Sequence, residues 1–539
     1  MSLDADVIII GAGISGLCLA IQLVRNHPNI TFQLLEKSDS IGGTWHVNTY
    51  PGCGCDVPSH FFSYSFELNP NWSQKFALQP EIEKYYHDVA MKYDIPKRVQ
   101  LHTIVTNADW DDSTNTWRVY AVNTGDNKPQ LLRSKVLISA VGALSVPRGC
   151  DLPGADRFKG RIFHSATWDH TFDYTNKEVV VLGNGCSATQ FVPELSRSVK
   201  KITQFARQPH WLLERPNPKY SNGFKLAMRC IPGLMRTYRA MIYAELEAEF
   251  AMFAIDTGAK TRAELSRKSR KYIEENAPKK YVSTLIPEFE VGCKRRVFDT
   301  GYLECLHRDA VELVSQDPVE EILEDAVRLK SGRVVAADAI VLANGFETLK
   351  MLHPMEIRGV KGKSLGDHWS QVSDGVPQAY FGTCVSGFPN FAIMMGPNTT
   401  TGHLSVIFTS ECQVNFILRV LKPVLESLHP TRSLKSLILP PQTAGTVDVT
   451  IQAEVADNDW IQATANKLVW ASGCTSWYVD KKTKKNVALY PSWEWHYWLR
   501  SVFIKKSHFN YQGLRRDRVF TRLLLFTVLA ISSLFWRKW

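Results

Sequence analysis

One pattern occurs twice in this chain and limits its fold more than any other feature: an apolar run, a glycine-rich turn, then an apolar helix. The first copy is the run at residues 6–10, the turn Gly11-Ala12-Gly13-Ile14-Ser15-Gly16 and an apolar stretch at 17–24. A second strand at 31–35 ends in Glu36, twenty residues past Gly16. In that context a GxGxxG turn marks a dinucleotide site. The glycines allow the turn and the close approach of a pyrophosphate, the helix N-terminus attracts its charge, and the carboxylate accepts from ribose hydroxyls. The second copy is the run at 178–182 followed by Gly183-Asn184-Gly185-Cys186-Ser187-Ala188-Thr189, with alanine in the third position. Past the strand at 201–205 no acidic residue follows, and Arg207-Gln208 stands in its place. A carboxylate there would repel a 2′-phosphate, whereas a guanidinium binds it. The sequence therefore predicts an α/β fold with two Rossmann-type dinucleotide-binding domains, the first holding an adenine dinucleotide and the second NADPH in preference to NADH.

Between the two copies lies Phe158-Lys-Gly160-Arg-Ile-Phe-His164-Ser-Ala-Thr-Trp168-Asp169, which reads FxGxxxHxxxW[PD]. This string resembles the signature of Baeyer–Villiger monooxygenases, and five fixed positions in the expected place are unlikely by chance. The resemblance extends over roughly residues 5 to 500. It takes in Gly42-Gly43-Thr44-Trp45-His46-Val47, Tyr50-Pro51 through Cys55-Asp56-Val57, Gly292-Cys293-Lys294-Arg295, Ala343-Asn344-Gly345-Phe346 and Ser476-Trp477-Tyr478. Asn344 departs from the family's threonine, and Phe62 stands where the family often has a tyrosine.

The resemblance implies FAD in the first domain, with Thr44, Trp45, His46, Val47, Cys55, Asp56, Val57 and Phe62 along it and Asp56 also near the nicotinamide. It implies Lys294 at the 2′-phosphate, Trp477 at the NADP ribose, and Arg295 as the central catalytic residue with Asp56 as its catalytic partner. His164 takes a role in conformational coupling and not in proton transfer. In such enzymes reduced flavin and O2 give a C4a-peroxyflavin, and a fixed cation stabilises the anionic peroxide that attacks a ketone carbonyl. The implied reaction is oxidation of an apolar ketone, possible as a secondary metabolite, to an ester or lactone. An N- or S-oxygenating or hydroxylating flavin monooxygenase is the nearest alternative; the first two carry Tyr or Phe with a basic residue where this chain has Trp168-Asp169. A membrane-tethered flavoprotein without turnover is a third. The implied layout is a first part of the FAD domain at 1–150, an NADP domain at 151–335 with a helical insert at about 211–290, and a second part of the FAD domain at 336–513. Within the insert Met235, Tyr238, Ile242, Leu246, Phe250 and Phe253 recur at helical spacing, with Arg236, Arg239, Glu245 and Glu249 between them.

The net charge of +10 is mild for 539 residues; it suits polyphosphate cofactors or an anionic membrane face and does not indicate nucleic acid. Eleven cysteines without CxxC or zinc spacing predict reduced, mostly buried thiols facing cytosol and no metal site. Met1 leads almost directly into a strand, so no signal peptide is expected. Residues 519–536 are apolar apart from Arg522 and a few hydroxyls, with Arg515, Arg516 and Arg518 before them. Eighteen residues make a helix of about 27 Å against a hydrocarbon core of about 30 Å. The tail at 514–539 is thus expected to hold the enzyme on a membrane, with its catalytic part in the cytosol.

Overall fold

The computed structural model describes residues 2–348, 350–429 and 445–513. The first unit starts with strand β1 (Ala5–Ile10), helix α1 (Ile14–Asn26) and strand β2 (Phe32–Leu35). A single turn, α2 (Thr44–Val47), and helix α3 (Gln79–Lys92) lead to strand β3 (Val99–Gln100). Strands β4 (Thr103–Asp111), β5 (Thr116–Asn123) and β6 (Pro129–Ser139) follow as an antiparallel meander. Strand Glu356–Arg358, β4, β5, β6, β1, β2 and β3 lie side by side in that order, and Phe391–Ile393 also pairs with β6. Every residue of β1 is buried, as a strand covered on both faces must be, which is why residues 7–10 read as an unbroken apolar run, while buried Asp6 accepts the Thr31 N–H at 2.8 Å. Helix Val406–Leu428 packs on α1, and Ser15 and Ser410 meet across them at 2.8 Å.

The second unit is a five-stranded parallel sheet. It contains β7 (Arg161–His164), β8 (Glu178–Leu182) and β9 (Lys201–Phe205), with helix α4 (Cys186–Leu195) after β8. The order is Val311–Val314, β9, β8, Ala339–Leu342, β7. Strand Ala339–Leu342 corrects the expected boundary at 335/336, because it pairs with both β7 and β8 and so closes this sheet. The chain crosses back only after Leu342; a buried strand pattern does not say which sheet takes the strand.

The insert contributes helices α5 (Asn222–Cys230), α6 (Leu234–Ala248) and α7 (Ala259–Asn276). Ile242 is buried on α6 as expected, but so is Arg239, which the sequence places among the outward residues. The thiol expectation holds for Cys18, Cys53, Cys55, Cys305, Cys384 and Cys412, which are free and buried. It fails for Cys293 and Cys474, which form a disulfide across 181 residues of sequence, a proximity that spacing cannot reveal. Among the described residues no helix is long and apolar enough to cross a membrane. The tail expected to hold the enzyme on a membrane, 514–539, lies outside the described residues.

Candidate active site

At the first fingerprint Gly11 has φ of 101°, and a Cβ there would lie 2.6 Å from the Ala140 carbonyl oxygen; one at Gly16 would lie 2.1 Å from that of Gly11. Helix α1 starts at Gly13 without a side-chain cap, leaving its first N–H groups for an anion. Buried Glu36 accepts the Ala12 N–H at 2.8 Å and the Ser38 N–H at 2.9 Å. It braces the turn, and a carboxylate retains acceptor capacity for a ribose beyond two donors. The Gly42-Gly43 turn lies against Gly13, joined by a backbone bridge from Gly13 to Gly42. Thr44 is exposed, Val47 is half-buried, and Trp45 is buried edge-on to Phe62 at 5.4 Å. Phe62 also packs on Tyr86 and serves as a core ring. The His46 ring, expected along the flavin, is engaged by Asp39 at 2.7 Å and Glu83 at 2.9 Å. Burial opposes its charge, but the two carboxylates outweigh that and raise its pKa.

The loop from Tyr50 to Asp56 docks on the second unit. The Tyr50 hydroxyl donates to Gln190 Oε1 at 2.9 Å, and Gln190 Nε2 donates to the Gly54 carbonyl at 3.0 Å. Cys55 and Val57 are buried on either side of half-buried Asp56. Asp56 Oδ2 accepts from Arg295 twice, from Nη2 at 2.5 Å and Nε at 2.7 Å. The carboxylate raises the guanidinium pKa still further, so Arg295 is a permanent cation. Its neighbours go elsewhere: Lys294 donates to Gln208 Oε1, and Arg296 pairs with Glu249. Three consecutive cations thus diverge to three separate parts of the fold.

In the second fingerprint a Cβ at Gly183, where φ is 122°, would lie 2.3 Å from the Ala343 carbonyl oxygen, whereas one at Gly185 would meet nothing within 4 Å. Helix α4 begins at Gly185 without a side-chain cap. An open cradle at uncapped N–H groups fits a pyrophosphate. Cys186 is exposed at the mouth, Ser187 is half-buried, Ala188 is buried, and the Thr189 hydroxyl is used inside the helix on the Cys186 carbonyl. Asn184 donates to the Gln208 carbonyl at 2.8 Å, holding the end of the fingerprint to the segment after β9. Exposed Arg207 and half-buried Lys294 are close enough that burial and then the Arg207 charge lower the Lys294 pKa. Two cations gathered against repulsion fit a 2′-phosphate.

The outgoing and returning crossings are tied to each other. Arg148 N–H donates to the Gly345 carbonyl at 3.0 Å and Glu347 N–H to that of Val146 at 2.9 Å. Asn344, in the threonine position, donates to the Gly149 carbonyl at 2.9 Å. His164 Nδ1 accepts from Ala166 N–H, which leaves the proton on Nε2, and this donates to the Gly345 carbonyl at 3.1 Å. Burial lowers the His164 pKa, so the ring is neutral and joins the crossings. Trp168 is buried between Phe163 and Phe191. Near the C-terminus Tyr478 is buried beside Arg295, and half-buried Trp477 packs on Tyr478 at 4.8 Å.

A family model described as "FMO-like: Flavin-binding monooxygenase-like" matches residues 4–251. An FAD-binding monooxygenase of Aspergillus niger is 34% identical over 489 residues, 88% of this chain and 76% of that protein. A Baeyer–Villiger monooxygenase of Pseudomonas aeruginosa is 33% identical over 494 residues, 91% and 88%. The chain belongs to the Baeyer–Villiger monooxygenase family. The fold agrees: the crystal structure of OTEMO in complex with FAD and NADP superposes with a TM-score of 0.81 at 24% identity, covering 95% of this chain and 100% of that one.

For three side chains around the site of this monooxygenase the sequence reading gave no role. Arg215 donates to the Cys55 carbonyl, next to Asp56, and lies 4.5 Å over the Phe76 ring. Buried Arg239 donates to the carbonyls of His60 at 2.9 Å and Phe61 at 3.1 Å, docking α6 on the segment that follows Asp56. Tyr478 was visible only as part of a motif. A signal existed for Arg239, since it stands four residues past Met235 and three before Ile242, on the apolar stripe itself. Beyond it Phe61, Tyr243 and Phe408 form an aromatic wall, with Tyr243 and Phe408 stacked at 5.4 Å.

Proposed function

We propose that this monooxygenase uses NADPH and O2, with FAD bound in the first unit, to insert one oxygen atom beside the carbonyl of an apolar ketone, giving an ester or lactone. The observation that carries the reading is the Arg295–Asp56 pair, a permanent cation held between the two fingerprint units. The neighbouring structure that contains FAD and NADP supports the cofactor pair.

FAD, when bound, supplies the redox chemistry, accepting a hydride from NADPH and reacting with O2. Glu36 would hold its ribose, and the open turn at Gly185 would take the NADPH pyrophosphate. Arg207 and Lys294 would bind the 2′-phosphate and so select against NADH. Arg295 neutralises negative charge that develops on oxygen near the carbonyl, without itself giving up a proton. Asp56 fixes the direction of the guanidinium. The aromatic wall of Phe61, Tyr243 and Phe408 would suit an apolar substrate.

The test supplies heavy-isotope O2 and NADPH with a panel of cyclic, linear and aryl ketones. One heavy oxygen atom in an ester or lactone, with NADPH consumed one for one, is expected. NADPH oxidation that yields only hydrogen peroxide with every ketone, amine and sulfide offered would overturn the monooxygenase reading, and oxygenated amine or sulfide alone would redirect it.

We also propose that the tail at 514–539 holds the enzyme on a membrane with its catalytic part in the cytosol. The apolar run at 519–536 supports this. So does helix Glu494–Val502, where Trp495 and Trp498 are exposed and Phe503 follows, while Tyr497 is buried on Phe381. Deleting 514–539 should move the protein from the membrane to the soluble fraction; an unchanged distribution would refute it.

A further inference from the structure

The Cys293–Cys474 disulfide lies where a covalent tie has direct consequences for the site. Cys293 immediately precedes Lys294 and Arg295, and Cys474 stands three residues before Trp477. Their Cα atoms are 6.3 Å apart. Apart from the packing of Trp477 on Tyr478, the loop that Cys474 anchors has few ties to the rest of the fold. Ala471, Ser472, Gly473 and Thr475 are exposed, and from Gly473 to Trp477 the hydrogen bonds among the described residues are local, made with Tyr478 and Val479. Among the described residues, the one polar link from this loop to the Lys294–Arg295 stretch is Ser472 Oγ to Cys293 Sγ at 3.4 Å. Past Trp477 the chain is again secured, with Val487 N–H bonded to the Tyr478 carbonyl at 2.9 Å.

We propose that Cys293 and Cys474 are a redox-controlled latch on the nicotinamide-nucleotide side of the site, next to Lys294 and Arg295. As a disulfide the pair holds the 471–477 loop, and with it Trp477, against Lys294 and Arg295. As two thiols it lets the loop move away. The assignment of that side of the site rests on the NADPH reading above; the bridge does not. A lone bridge in a chain with nine free cysteines is not a disulfide scaffold, and its place beside an oxygen-activating centre matches a regulatory bond. Closing needs a two-electron oxidant. Hydrogen peroxide, the product when a reduced flavin is reoxidised by O2 without oxygenating substrate, serves: two thiols lose two electrons and two protons, the O–O bond breaks, and one S–S bond and two waters form. Opening needs a small dithiol. Its thiolate attacks Cys474, which is half-buried, while buried Cys293 leaves as thiolate and is protonated; the reagent's second thiol then displaces Cys474 and closes its own disulfide.

Flavin-loaded protein treated with hydrogen peroxide, or with dithiothreitol, would be alkylated, digested and mapped by mass spectrometry. NADP⁺ affinity would be measured on the same samples by calorimetry. Peroxide should give a linked peptide pair containing Cys293 and Cys474, and dithiothreitol two alkylated peptides with NADP⁺ bound about tenfold more weakly, as loss of a pre-positioned contact group predicts. Cys474→Ser should bind like the reduced wild type and ignore peroxide. Alkylated Cys293 and Cys474 after peroxide treatment would overturn the proposal, and so would a mapped bridge with equal NADP⁺ affinity in both states. Neither readout depends on ketone turnover, so a failed oxygenation assay leaves this result standing. Reduced wild type supplies the same comparison should the variant fail to fold.

Discussion

Arg295 owes its usefulness to a single partner placed on the other unit. A guanidinium bonded through two nitrogens to one carboxylate oxygen has a fixed direction, and fixed charges stabilise a transition state without first having to reorient. Arg295→Ala should therefore lower turnover by about 100- to 1000-fold while the protein keeps its yellow flavin; oxygenation near the wild-type rate would dismiss the assignment. At Arg207 the charge has a different duty. Arg207→Ala should weaken NADPH about 10- to 100-fold and leave NADH nearly unchanged, the range expected when a charge-assisted phosphate contact is lost; equal effects on both would take Arg207 out of the phosphate site. Arg207 was legible because it stands at a fixed place after a strand, and Arg295 because Gly292-Cys293-Lys294-Arg295 resembles a family motif. The docking roles of Arg215 and Arg239 were not, since each depends on a carbonyl that only the fold brings near.

Helix α6 shows what a periodic pattern conveys and what it hides. The 3.6-residue repeat correctly gives a helix with Ile242 inward, but it sorts residues by type and so turned Arg239 outward. The structure resolves the conflict by giving the buried guanidinium the carbonyls of His60 and Phe61 and the Ser63 hydroxyl, with Phe61 beneath it at 4.7 Å. Arg239→Met fills the space yet leaves those carbonyls without a donor. It should cost about 2–4 kcal/mol in urea denaturation. Because α6 then loses its hold on the chain that follows Asp56, the same variant should also lower turnover, and a stable variant of full activity would show that the contact is dispensable.

Across the whole molecule, acid sensitivity follows from histidines kept neutral. His60, caged by Tyr220, Phe224 and Tyr238, has its pKa lowered from 6.5 to about 4 by burial and by Arg239. His210 falls likewise to about 4, through burial and Lys294. Both folded-state values lie below the unfolded one, so as pH drops from 6.5 towards 4 the unfolded chain takes up protons that the folded chain refuses. Stability is present above that window and lost within it, by about 3 kcal/mol per histidine. His60→Phe, which suits the aromatic cage, should reduce by about that amount the stability lost between pH 7 and pH 4 in urea titrations; an unchanged acid slope would place the sensitivity elsewhere. At this scale the sequence conveyed the two units and their fingerprints, because each is a local pattern. It did not convey which sheet receives Ala339–Leu342 or that Cys293 meets Cys474, because both are matters of long-range pairing.

The late crossing after Leu342 also sets an order of assembly. Every strand of the second sheet lies between Arg161 and Leu342, so that sheet is complete as soon as the ribosome has delivered this stretch. The first sheet begins at Ala5 yet must wait for Glu356–Arg358, Phe391–Ile393 and the helix at Val406–Leu428. During synthesis the N-terminal half therefore stays open around a finished neighbour, and a nascent chain halted once residue 342 has cleared the exit tunnel should already protect the inner unit from protease while the outer one is cut.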